Sequence, residues 1–195
     1  MTLPLPLLNI RNVDNVPALT RLQMDLAVAA FGADLTRVVV MQIADQGAAQ
    51  LVLKEAGFMP GGPNPGDSNS GDLNGFNAVS NRNGADKVKY DTWFQTQAAY
   101  MIGQLKSVTD ASAKSLLDNS VFVGMNSSRT GGGETTGVPV ILAGSCGGYF
   151  QTGRSLALTA TPNNRLLVAL CNAMGTPVQT FGAAMYGGEL TVLKG

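Results

Sequence analysis

The sequence predicts an α/β fold, a sheet layered between helices. Three observations carry it. Apolar residues recur at helical spacing in three separate stretches, short β-branched apolar runs without alternation fall between them, and the two kinds of segment interleave along the chain.

The first helix is expected from about Pro17 to Asp34. Asp14-Asn-Val-Pro17 supplies a cap and an early proline, and Leu19, Leu22, Leu26, Ala30 and Ala33 mark its inner face. Arg37-Val-Val-Val-Met-Gln-Ile43 follows and reads as a strand buried on both faces. A second helix is expected from Asp86 to about Val108, with Tyr90, Trp93, Phe94, Met101, Leu105 and Val108 on one broad face. Leu117 to Ser120 then makes a turn into a strand at Val121 to Met125, and a further strand spans Val138 to Ala143. Thr161-Pro-Asn-Asn opens a third helix with a threonine cap; Leu166, Leu167, Leu170, Ala173 and Met174 form its apolar face up to Gly175. A short strand at Leu190 to Leu193 completes the expected elements.

At 195 residues, one domain covering 1–195 is the default, large enough to bury a core without disulfides or metals. Its odd segment is a long irregular loop at about 58–84, rich in glycine, asparagine and proline. Loops of that length are uncommon in compact domains unless they serve binding, assembly or a site, or are disordered, and a floppy surface insertion is the competing reading.

Composition narrows the chemistry. The chain holds no histidine, the side chain that titrates near neutrality and the commonest metal ligand. Only 13% of its residues are charged, against roughly 25% in a typical soluble domain. Thirteen basic and thirteen acidic residues cancel. Zero net charge removes long-range repulsion between copies and favours self-association. With no basic stripe, nucleic acid is not an expected partner. No apolar run approaches the roughly 20 residues that span a bilayer, and the start, Met1 to Ile10, lacks the basic region of a signal peptide. Cys146 and Cys171 allow one disulfide, with burial as free thiols the alternative; without histidine they make no zinc site.

The segments Arg21 to Val38, Leu117 to Val123, Val138 to Gly144, Gly153-Arg154 and Asn164 to Val178 resemble, in order, the secreted bacterial family known as domain of unknown function 1552. That family is similar to the alkaline phosphatase and sulfatase superfamily. The resemblance implies a shortened alkaline phosphatase-like core with a largely parallel sheet flanked by helices, and an extracellular or cell-surface location. It covers the C-terminal part of the family, so the region of the superfamily's nucleophile and first metal carboxylates has no counterpart. The family's histidine-rich stretch corresponds to Gly75 to Gly84, where Phe76, Asn77, Asn81 and Arg82 stand in the histidine positions. A second histidine motif corresponds to Gly132 to Gly137, which keeps Glu134 alone as a metal-type ligand. Asparagine hydrogen-bonds but replaces imidazole neither as a zinc ligand nor as a proton carrier.

Other constellations are local. Asp67, Asn69 and Asp72 place oxygen donors at the spacing of a calcium loop, with turn formation the competing role. Asp45 stands at the carboxyl end of an expected strand, a position open α/β sheets use for ligands. Gly144-Ser-Cys-Gly-Gly148 has the outline of a nucleophile elbow, yet there is no histidine to activate Ser145 or Cys146, so a strand-end turn is expected. Thr130 to Gly133 reads as a plain loop, Asn126-Ser-Ser128 is a glycosylation sequon, and Trp93, a conceivable carbohydrate platform, falls on a core face. The expectation is a non-catalytic, self-assembling structural protein, a homo-oligomer or filament subunit needing no cofactor. The alternative is a metal-dependent phosphoester or sulfoester hydrolase using Asp45, Asp67, Asp72 and Glu134.

Overall fold

A computed structural model describes residues 15–43, 85–125 and 137–195. The described residues fall into two compact units, 15–43 with 85–104, and 105–125 with 137–195. The loop at 58–84 lies outside them.

The first unit is built on α1 (Val16–Gly32) and α2 (Ala85–Ser107), whose last residues enter the second unit. α1 begins where Pro17 occupies the first turn, a place where a missing N–H costs nothing. Its buried residues are Pro17, Thr20, Met24, Ala27 and Val28. The inner face expected from sequence is thereby corrected: Leu22 and Leu26 are exposed. Leucine and alanine occur all round this helix, so spacing alone does not fix which stripe turns inward. α2 matches its expected extent, with Tyr90, Trp93, Met101 and Leu105 buried, and Trp93 meets Phe94 edge to face at 5.0 Å. Arg21 contacts Gln97 and Asp25 contacts Tyr100. The contacts advance in step, so the two helices run in the same direction where they touch.

Residues 37–43 are not the buried strand expected of them. They take no regular secondary structure, and Val38 and Val40 are exposed by 67% and 90%. Propensity for the extended state is realised only when a neighbouring strand takes up the ladder, and among the described residues none pairs here.

The second unit holds α3 (Leu116–Asn119), β1 (Phe122–Met125), β2 (Val140–Ala143) and α4 (Asn163–Ala173), followed by 3-10 turns at Ala184–Tyr186 and Thr191–Leu193. β1 and β2 pair antiparallel, Phe122 opposite Ala143 and Met125 opposite Val140. The fold is thus mixed helix and strand as expected, but the largely parallel sheet is corrected: the sheet among the described residues is this two-stranded antiparallel ribbon. β2 starts at Val140 because Pro139 has no N–H for a ladder. The terminal strand expected at Leu190 to Leu193 is instead a 3-10 turn, and an isolated bridge pairs Phe150 with Lys194 just beyond it.

The expected turn at Leu117 to Ser120 is a single helical turn with a capping box. Asp118 N–H donates to Ser115 Oγ at 3.1 Å, and Asp118 Oδ2 accepts from Ser115 N–H at 3.1 Å. α4 opens one residue later than the threonine cap implied. Pro162 is the N-cap, and Thr161 donates its hydroxyl to Thr159 O rather than capping the helix. Leu166, Val168 and Ala169 are buried; Met174, expected on the apolar face, is exposed. The last segment is stitched to α4 by Asn164 Nδ2 donating to Phe181 O at 2.6 Å, Val178 N–H to Asn172 Oδ1 at 2.9 Å and Leu190 N–H to Arg165 O at 3.1 Å.

Candidate functional site

The first unit carries an open groove of about 400 Å³. Arg21 of α1 lines it, with Val88, Lys89, Thr92, Trp93, Thr96 and Gln97 of α2. These α2 residues recur at four-residue spacing, so the groove follows one stripe of the helix. Trp93 and Gln97 are buried at its floor, while Arg21, Val88, Lys89, Thr92 and Thr96 are exposed along its walls.

Gln97 is 0% exposed. Its Oε1 accepts from Arg21 Nε at 3.1 Å, which fixes the amide's orientation and leaves Nε2 as the other end. Nε2 is buried without an acceptor. A buried donor left unmade costs about 1–3 kcal/mol, so its presence in a packed helix calls for a reason. The Arg21 guanidinium also stands over the Tyr100 ring, 5.4 Å from its centroid. Tyr100 Oη donates to Asp25 Oδ1 at 2.7 Å, and that hydrogen bond holds the phenol's proton and raises its pKa above the ordinary value. Asp25 is thus engaged with Tyr100, and among the described residues the groove lining holds Arg21 and Lys89 and no carboxylate.

The second unit has a polar cluster at its C-terminal end. Tyr149 Oη donates to Glu189 Oε1, and Lys194 Nζ lies 2.8 Å from Glu189 Oε2 and 5.0 Å from the centre of the Tyr149 ring. Burial alone would raise the Glu189 carboxyl, but hydrogen bonds from Lys194 and Tyr149 outweigh it and hold it below the ordinary glutamate range. A carboxyl depressed in the folded state adds stability that is present above its unfolded pKa and lost as pH falls through the folded value. The effect therefore belongs to the acid side, below about pH 4.3. Denaturant titrations from pH 7 to pH 3 are expected to show Glu189→Gln less stable than the parent at neutrality, with the gap closing at the acid end.

The Gly144-Ser-Cys-Gly-Gly148 segment is the strand-end turn expected. Gly144, Cys146, Gly147 and Gly148 all have positive φ, 93°, 49°, 71° and 97°. Such a turn exposes a nucleophile in hydrolases, but its amides here are spoken for. Cys146 N–H donates to Ser120 O at 2.9 Å and Gly147 N–H to Asp118 O at 2.8 Å, so the turn occupies carbonyls at the end of α3. Ser145 Oγ donates to Asp118 O at 2.8 Å. The Cys146 thiol faces Ala173 O at 3.5 Å, and burial pushes its pKa up, away from thiolate chemistry. Cys146 and Cys171 are both free thiols.

Phe76, Asn77, Asn81, Arg82 and Glu134, the oxygen donors Asp67, Asn69 and Asp72, Asp45 and the Asn126 sequon all lie outside the described residues. Among the described residues no group of three or more metal-type ligands gathers, and no helix is long and apolar enough to cross a membrane. Sequence reading missed Arg21 and Gln97. The signal was available: a glutamine four residues after Trp93 and four before Met101, on the stripe otherwise reserved for the core. The chain matches no known protein family, no curated protein and no solved structure.

Proposed function

We propose that this chain is a non-catalytic structural protein, derived from an alkaline phosphatase-like fold, that associates with copies of itself outside the cell or at its surface. The observation supporting this reading most directly is the segment after α1. Leu35, Val38 and Val40 are exposed by 79%, 67% and 90%, an apolar and β-branched run at the surface. An exposed run with high strand propensity is a template for another chain, and zero net charge offers no repulsion against one. The absence of histidine and the raised thiol at Cys146 support the non-catalytic half of the reading.

Sedimentation velocity over a hundredfold range of concentration, with electron microscopy of the same samples, tests it. The parent chain is expected to sediment faster as concentration rises and to form a regular polymer or closed oligomer. Val40→Asp places a charge at the most exposed position of the run and is expected to keep the chain monomeric. A parent chain that stays monomeric throughout sinks the proposal, as does a Val40→Asp variant that assembles like the parent.

A further inference from the structure

We infer that the groove between α1 and α2 binds a small carboxylate-bearing ligand, gripped jointly by Arg21 and Gln97. Three features converge on this chemistry. The Gln97 amide is wholly buried at the groove floor, and its Nε2 has no acceptor. Its Oε1 is engaged by Arg21 Nε at 3.1 Å, so the idle amide donor and the guanidinium head are immediate neighbours. Arg21 itself lines the groove, its guanidinium over the Tyr100 ring at 5.4 Å, and among the described residues its hydrogen bond is the one from Nε to Gln97. A planar guanidinium fork beside a second N–H donor matches the two oxygens of a carboxylate.

The rest of the lining agrees in sign and character. Lys89 also lines the groove, and among the described residues no acidic side chain lines it. Val88, exposed by 62%, offers apolar surface beside the donors, suited to the hydrocarbon or aromatic body that carries the carboxylate. A neutral acceptor would satisfy Gln97 but gain nothing from the Arg21 charge. The site lies within the first unit and is independent of whether the chain assembles.

Nuclear magnetic resonance titration of the nitrogen-15-labelled chain tests the inference, using sodium benzoate as probe with benzamide and sodium sulfate as comparisons, all at constant ionic strength. The Gln97 side-chain signal is identified by its loss in Gln97→Met. Benzoate is expected to shift that signal and the backbone amides of residues 92–97 saturably, benzamide to do so far more weakly, and sulfate to compete poorly. Arg21→Gln, a change at an exposed position that leaves the helices intact, is expected to weaken benzoate about tenfold, the loss of one charge-assisted contact. Absence of a saturable benzoate response overturns the site. Equal responses to benzamide, equal competition by sulfate, or unchanged benzoate affinity in Arg21→Gln overturns the carboxylate assignment.

Discussion

Gly144→Ala is expected to destabilise the chain by about 3 kcal/mol, combining left-handed strain with a backbone clash. Gly144 has φ +93°, a conformation that L side chains rarely adopt. A Cβ there would stand 2.5 Å from both Leu117 O and Ser120 O. Those atoms are backbone, and Ser120 O already accepts from Cys146 N–H, so it does not withdraw without breaking the clamp between the turn and α3. Gly148 provides the comparison: its φ is +97° and nothing lies within 4 Å of its Cβ position, so Gly148→Ala carries the strain without the collision. Urea denaturation of the two variants is expected to place Gly144→Ala well below Gly148→Ala. Equal midpoints would remove the clash from the account.

Phe150→Ala is expected to cost about 3–5 kcal/mol, the range for deleting a buried aromatic ring. Phe150 is 3% exposed and meets Tyr149 edge to face at 5.1 Å. Its backbone also bridges to Lys194, and Gln151 N–H donates to Leu193 O at 2.9 Å, so the ring sits where the C-terminal residues are fastened to the turn after β2. Loss of the ring therefore leaves a cavity at a junction rather than within one element. Phe150→Leu, which refills much of that volume, is expected to recover more than half of the loss in thermal and urea unfolding. A fall of under 1 kcal/mol for Phe150→Ala would mean that the site collapses freely and that the ring is not a packing centre.

The helices were legible in the sequence because their signals are local. Pro17, the Trp93–Met101 stripe and Pro162 each act within a turn or two, and α1, α2 and α4 lie within about two residues of their expected positions. The segments that became β1 and β2 were legible for the same reason, whereas their antiparallel pairing is a relation between distant segments that apolar runs do not encode. Residues 37–43 show the other limit: valine runs report a preference for extended backbone, and burial depends on whether a partner strand exists. The groove was half legible. Gln97 interrupts the core stripe of α2 in plain view, but its pairing with Arg21, 76 positions away, requires α1 and α2 to be set side by side.

Met125 faces Val140 across the ribbon, so the chain leaves β1 and re-enters β2 at directly opposed positions. The two ends are held together by the ladder whatever length of chain joins them. A fluorescent reporter or an affinity peptide spliced between the two strands would therefore enter and exit at paired residues of the ribbon. Both termini then remain untouched for following the chain in cells or on surfaces.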